Sequence, residues 1–134
     1  MEKLIEAVKR LFATNFQFYV KSHGFHVNVV GSDFTEFHSL FSQVYEFAQG
    51  NIDDIGEKIR IIEGVAPFSI ARIQELGDIK DSDKVPSALS MTKELLDDAQ
   101  TLLNHYEECH DMAVERSEEH TSELQSLAYL VCRL

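Results

Sequence analysis

The chain has 134 residues, a length typical of one domain. Its content of 44% hydrophobic and 26% charged residues excludes a disordered chain, and no run approaches the roughly 20 uncharged apolar residues of a membrane span. The 12 Lys and Arg against 23 Asp and Glu give a net charge of −11, which disfavours non-specific binding to a phosphate backbone. Two prolines and six glycines are too few for the tight turns of an all-β fold.

The cysteines indicate the cellular compartment. Cys109 and Cys132 do not make a disulfide framework, and no basic segment leads into an apolar run at the N-terminus. These features predict a cytoplasmic protein. Cys109 falls on the apolar face of a predicted helix, which favours a small core residue over a redox thiol.

Two long helices are predicted in the first half of the chain. Apolar residues recur every three or four positions from residue 2 to about 29, and again from 34 to about 63. Between them, the sequence VVGSD predicts a short break in which Ser32 or Asp33 caps the second helix, with Glu36 as the capping-box partner.

Glycines mark the inside and the end of the second helix. Gly64 is its predicted stop. Gly50 and Gly56 lie inside it and each cost up to ~1 kcal/mol of helix propensity, so we expect close packing to compensate at both positions.

A long connector and a third long helix follow. Residues 65–87 contain Pro67 and Pro86, and the apolar positions within 68–76 predict a short helix that lies across the bundle. The third long helix begins near Ser87. Two antiparallel helices, a long crossover and a third long helix are typical of an all-α, ferritin-like four-helix bundle.

Residues 116–134 differ from the rest of the chain in their expected origin. The sequence RSEEHTSELQS at 116–126 is the translation of a common short-read sequencing adapter, and LVCRL at 130–134 follows in the same frame after the variable index. We therefore expect native sequence to end at Glu115, and residues 116–134 to be a non-native translated adapter in place of the fourth long helix. Residues 1–115 are then a truncated ferritin-like domain.

The candidate metal ligands are His26, His38, Asp53 and Glu57. On the second helix, His38, Asp53 and Glu57 share one face, but His38 and Asp53 are separated by about 22 Å along the axis, too far to bind one ion. Antiparallel pairing of two copies about a two-fold axis would join the two ends in mixed sites suited to ferrous iron or zinc. The alternative is a solvated carboxylate face with ordinary packing histidines.

The sequence around these residues resembles the Dps miniferritins. The segment KSHGFHVNVVGSDFTEFH at 21–38, continued by NIDDIGEKIR at 51–60, follows their signature of His-Trp-Asn, a second His twelve residues on, and Asp-x-x-x-Glu fifteen residues after that. The signature positions hold His26, His38, Asp53 and Glu57. The likeness extends from about residue 4 to 115.

This resemblance implies a dodecameric shell of four-helix subunits. It implies a ferroxidase that oxidises ferrous iron at two-fold interfaces, with hydrogen peroxide preferred over dioxygen, and that stores ferric mineral inside. It also implies that His26 and His38 come from one subunit and Asp53 and Glu57 from its partner.

Two departures from the family pattern predict a reduced or altered activity. Ser42, a weak neutral ligand, stands where the family usually has an acidic residue four positions after the second His. Val27 stands in place of the Trp after the first His, and the chain has no Trp, so we expect the aromatic neighbour that intercepts oxidising equivalents to be missing.

Two alternatives remain open. One is a non-catalytic shell or interaction protein, which iron titration distinguishes from a ferroxidase. The other is a DNA-protecting protein that binds DNA directly, which is disfavoured by the absence of a basic run and is testable by gel shift at low salt. Among the other histidines, His23 is either a neighbour of the metal ligands or an exposed helix-end residue, while His105 and His110 are predicted on a solvated face.

Overall fold

The computed structural model describes residues 1–117, which form an all-α fold with no strand in that range. The four helices are α1 (Glu2–Asn28), α2 (Phe34–Ile61), α3 (Ile70–Leu76) and α4 (Ala88–Ser117). The predicted order of two long helices, a crossover with a short helix and a third long helix is confirmed. None of the helices within residues 1–117 is long and apolar enough to cross a membrane.

The core forms where α1 packs against α2, α3 and α4. The apolar stripes predicted from the helical periodicity face one another, because burying them removes apolar surface from water. The buried side chains of this core include Leu11, Phe25, Phe41, Ile59 and Met91. A largely buried ion pair also joins α1 to α4, with Lys21 Nζ 2.8 Å from Asp98 Oδ2.

The break between α1 and α2 differs from the prediction at its cap. Asp33 is the N-cap of α2, but its side chain makes no capping hydrogen bond, so the predicted capping box is wrong. The reason is the backbone of Asp33, whose φ of −103° and ψ of 32° lie outside the extended region that an N-cap side chain needs. The turn uses a positive φ of 128° at Gly31, a conformation that suits glycine.

The end of α2 is a Schellman motif. The N–H of Glu63 bonds to the carbonyl of Arg60 at 3.0 Å, and the N–H of Gly64 bonds to the carbonyl of Ile59 at 2.9 Å. Glu63, and not Gly64, takes the left-handed conformation, with φ 67°. Gly64 is required for space, because an added Cβ would lie 2.7 Å from Cγ2 of Ile5 on α1.

Substitutions at Glu63 and Gly64 are expected to change the free energy of unfolding in opposite directions. Glu63→Gly is expected to raise the free energy of unfolding by up to about 1 kcal/mol, since glycine adopts a positive φ without the penalty of a Cβ. Gly64→Ala is expected to lower it by about 1–3 kcal/mol through overpacking against α1. Urea unfolding of both variants measures the two shifts, and equal signs would contradict this account.

The glycines inside α2 have different surroundings. A Cβ at Gly56 would lie 3.2 Å from the ring of Phe12, so the predicted close packing is confirmed there. A Cβ added at Gly50 would have no atom of the described residues within 4 Å, and the prediction is wrong at that position. Gly50 lies on the exposed side of α2, where α1 does not approach.

The crossover is held to the bundle by polar contacts. Thr14 Oγ1 accepts the N–H of Asp78 at 3.3 Å, and Gln17 Oε1 accepts the N–H of Ile79 at 3.0 Å. His105 Nε2 lies 2.7 Å from Asp78 Oδ2 and its side chain is buried, so the prediction that His105 is on a solvated face is wrong. This residue anchors the crossover to α4.

Helix α4 carries Cys109, the predicted core cysteine. Cys109 is fully buried, and this burial raises the pKa of its thiol to about 12, as expected of a packing residue.

An apolar groove lies between α2 and α4, a surface against which a further long helix packs in four-helix bundles. The groove is lined by Leu40, Val44, Phe47, Leu102 and Leu103.

The predicted boundary at Glu115 falls inside α4, which continues to Ser117. The rest of the predicted adapter segment, and with it the position of the fourth long helix, lies outside the described residues. That prediction is decided by the nucleotide sequence across codons 116–134.

Candidate metal centre

Two of the predicted ligands meet at the junction of α1 and α2. His26 lies in the last turn of α1 and His38 in the second turn of α2, and their rings stack with centroids 3.7 Å apart and planes inclined by 21°. Each histidine side chain is also hydrogen-bonded to the backbone of the other residue. His26 Nδ1 lies 2.7 Å from the carbonyl oxygen of His38, and His38 Nδ1 lies 2.9 Å from the carbonyl oxygen of His26.

These two contacts define the tautomer of each imidazole. A backbone carbonyl only accepts hydrogen bonds, so Nδ1 must carry the proton in both His26 and His38. The lone pair of each neutral ring is then on Nε2. A backbone carbonyl as the partner of Nδ1–H is the usual arrangement of a metal-binding histidine, so the donor chemistry of the pair fits a divalent ion such as ferrous iron.

Aromatic rings extend the imidazole pair on both sides. Phe34 stacks on His38 at 4.9 Å, and Tyr45 stacks on His26 at 5.0 Å with planes inclined by only 15°. We call these four rings, Phe34, His38, His26 and Tyr45, the ring column. It holds the imidazoles from both faces and restricts their rotation.

Sequence reasoning missed Tyr45, although a signal was present. Tyr45 follows His38 by seven residues, or two helical turns, and therefore lies on the same face of α2. The expectation that no oxidisable aromatic residue neighbours the ligands is thus wrong. Val27, at the position of the family's Trp, is 64% exposed, and Tyr45 supplies the aromatic contact from the other helix.

The two carboxylates lie elsewhere on α2. Asp53 and Glu57 are exposed, on successive turns of the second half of the helix, and neither has an ion pair or hydrogen bond with another residue in 1–117. No group of three or more His, Cys, Asp or Glu residues within 1–117 is placed to hold a metal ion. Within one chain, therefore, the histidines and the carboxylates are not brought together.

Ser42 faces a carboxylate that sequence reasoning did not consider. Its hydroxyl donates to Glu46 Oε1 at 3.2 Å, one turn further along α2. The hydroxyl lies one turn from His38, on the same side of the helix. The negative charge that the family pattern has at position 42 is replaced here by one at position 46, about 6 Å further along the axis.

The comparisons with known proteins agree with this architecture. The ferritin-like domain family matches residues 5–127. The DNA protection during starvation protein of Brevibacillus brevis is 32% identical over 106 residues, which are 79% of this chain and 71% of that relative. General stress protein 20U of Bacillus subtilis is 28% identical over 123 residues, 92% of this chain and 85% of the relative.

Solved structures give the same result for the fold. The Dps protein of Vibrio cholerae superposes with a TM-score of 0.83 at 27% identity, over 98% of this chain and 86% of that one, and is described as a ferritin-like diiron-carboxylate protein. The Dps protein of Bacillus brevis superposes with a TM-score of 0.82, also at 27% identity, over 97% of this chain and 93% of that one.

The chain therefore belongs to the ferritin-like domain family. Within that family it is a Dps-type miniferritin, because the relative from Brevibacillus brevis is a DNA protection during starvation protein and both of these solved structures are Dps proteins.

Proposed function

We propose that this protein is a ferroxidase that oxidises ferrous iron and stores the ferric product. The observation that carries the proposal is the pair of hydrogen bonds between His26 and His38, which occupy both Nδ1 atoms and leave Nε2 of each stacked ring as the atom that can bind a metal. Two stacked imidazoles of this tautomer are an incomplete ligand set for an ion. The missing ligands are carboxylates, which Asp53 and Glu57 offer from an exposed and unpaired position.

A second subunit supplies the ligands that complete the site. A two-fold axis that pairs α2 with α2 of a partner subunit sets the histidines of each chain against the carboxylates of the other, and so makes two equivalent sites per dimer. Twelve such subunits in a shell would keep the ferric product away from other reductants. The division of ligands is consistent with the distance along α2, which one chain does not bridge.

The proposed reaction balances with peroxide as the oxidant. Two ferrous ions give one electron each, and hydrogen peroxide takes these two electrons and two protons to form two molecules of water. The imidazoles bind ferrous iron, and the carboxylates stabilise the extra positive charge of the ferric product. Open coordination positions admit the oxidant. Dioxygen is the alternative acceptor.

The names of the relatives include DNA protection, and this chain can provide it without binding DNA. Removal of ferrous iron and peroxide removes the reagents that damage DNA. The net charge of −11 opposes contact with phosphate. We therefore propose protection by chemistry at the metal site and not by a DNA-binding surface.

An anaerobic titration with ferrous iron, followed by addition of peroxide, tests the proposal. We expect saturation at about two ions per dimer, one at each of the two equivalent sites, and peroxide consumption only when iron is bound. A protein that binds no iron, or an iron-loaded protein that leaves peroxide unconsumed, would contradict the ferroxidase and support the non-catalytic shell.

A further inference from the structure

The ligands described so far leave one charge of the ferric product unbalanced. His26 and His38 offer neutral imidazoles, since each Nδ1 carries its proton and each Nε2 its lone pair. Asp53 and Glu57 of a second copy bring two negative charges, whereas ferric iron carries three positive charges. A site that holds the oxidised ion is therefore short of one negative charge.

Glu46 lies on the face of α2 that carries the proposed carboxylate ligands. At about 100° per residue, Asp53 lies about 60° and Glu57 about 100° around the helix axis from His38. Glu46 falls between them, at about 80°. The half of α2 that contains His38 has one other acidic residue, Glu36, at about 160° and thus nearly opposite to His38. Glu46 is the carboxylate of this half that shares the ligand face.

The proposed pairing of subunits places Glu46 beside the two-fold axis. In an antiparallel pair of identical helices, the axis crosses each helix midway between two positions that face each other. With His38 opposite the middle of Asp53 and Glu57, this point lies between residues 46 and 47. The two copies of Glu46 are then neighbours. Their repulsion favours the conformation in which each carboxylate turns away from the axis, toward His38 of its own chain.

The side chain of Glu46 already points in that direction. Its Oε1 accepts the hydroxyl of Ser42 at 3.2 Å, one turn closer to His38. This orientation is the usual one, because side chains of an α-helix lean toward its N-terminus. Oε2 has no partner among residues 1–117 and is free to bind an ion. The lean and the length of the glutamate side chain bring its carboxylate toward the place that an acidic residue at position 42 would occupy.

We propose that Glu46 is a ligand of the metal site of its own subunit and replaces the acidic residue that is missing at position 42. This inference rests on the proposed ferroxidase function. Oε2 of Glu46 binds the ion beside the histidines, while the hydroxyl of Ser42 holds Oε1 and positions the side chain. The third carboxylate balances the third positive charge of ferric iron. The exchange at position 42 therefore moves a ligand along α2 and does not remove it.

An anaerobic titration of the intact protein with Co²⁺ tests the proposal. This divalent ion takes the same imidazole and carboxylate ligands as ferrous iron, and its visible absorption reports its coordination. Glu46→Gln is expected to weaken Co²⁺ binding by about 10–100-fold and to change the absorption band. Glu36→Gln is the matched control, since it removes the same charge from the other side of α2, and it is expected to bind like the unmodified protein.

Two further variants distinguish direct coordination from a general effect of charge. Glu46→Asp keeps the charge but shortens the side chain by one methylene group, and we expect it to bind almost as weakly as Glu46→Gln. Ser42→Asp with Glu46→Gln returns a carboxylate to position 42 and is expected to restore the binding. Glu46→Asp that binds like the unmodified protein would show that a charge near the site is sufficient, and would overturn the ligand role. A double variant without recovery would also overturn it.

The same titration separates the failure of this inference from the failure of the ferroxidase proposal. Binding of about two Co²⁺ ions per dimer that is unchanged in Glu46→Gln would overturn the role of Glu46 and leave the metal site standing. An unmodified protein that binds no Co²⁺ would overturn the metal site and, with it, the role of Glu46. Glu46 is exposed, so we expect all of the variants to fold, which circular dichroism checks.

Discussion

Co-expression of two inactive variants in equal amounts is expected to restore about a quarter of the wild-type ferroxidase activity, if each site is shared across a two-fold axis. One variant is His26→Ala with His38→Ala, and the other is Asp53→Ala with Glu57→Ala. Each alone lacks half of the ligands at both sites of its dimer. Each is therefore expected to lose iron-dependent peroxide consumption.

The restored fraction follows from the way in which the subunits pair. Random pairing makes half of the dimers mixed, and a mixed dimer has one site with all four ligands and one with none. The measurement is the initial rate of peroxide consumption at saturating iron, compared with each variant alone. Asp54→Ala is the matched control, because Asp54 is an exposed carboxylate next to Asp53 and is expected to leave the rate unchanged.

Two results would contradict the shared site. Full activity in the Asp53 and Glu57 variant would show that other groups complete the coordination. No recovery on co-expression, with mixed dimers confirmed by mass spectrometry, would place all of the ligands within single subunits.

Lys21→Met is expected to lower the free energy of unfolding by about 3–5 kcal/mol, the usual cost of leaving a buried charge without its partner. Lys21 Nζ lies 2.8 Å from Asp98 Oδ2, and the two side chains are only 7% and 15% exposed. Without Lys21, the Asp98 carboxylate lies between α1 and α4 with no compensating charge. Chemical unfolding followed by circular dichroism measures the loss.

A double variant distinguishes two causes of the lost stability, the unpaired charge of Asp98 and the lost packing of the Lys21 side chain. Lys21→Met with Asp98→Leu replaces both charges by apolar groups of similar volume, and we expect it to recover most of the stability lost in Lys21→Met. Lys9→Met is the control, since Lys9 pairs with Glu6 at 3.4 Å on the surface of α1 and contributes little. A double variant as unstable as Lys21→Met would refute the electrostatic account.

The helices could be predicted from the sequence because their signal is local. The apolar periodicity of α1, α2 and α4 spans many turns, so each element is defined by residues that are close in the chain. The candidate ligands could be found for the same reason, through fixed spacings. Even the proposal of a second subunit followed from the length of α2 between His38 and Asp53.

What the sequence did not predict depends on contacts between distant residues or on individual dihedral angles. His105 is buried because Asp78, 27 positions earlier, lies against it at the end of the crossover. Asp33 fails to cap because of its own ψ value, which composition does not encode. The stacking of Tyr45 on His26 needs the crossing of α1 and α2, which brings the two rings together from separate helices.

The pair of hydrogen bonds between His26 and His38 limits how the turn between α1 and α2 can vary. Each imidazole is held by the backbone of the other residue, so the twelve-residue interval between them is a fixed length of chain. One residue added to the turn would rotate His38 by about 100° about the axis of α2 and break both hydrogen bonds at once. Residues 30–33 of the turn are exposed to solvent, so its side chains other than at Gly31 are free to change, but its length is not.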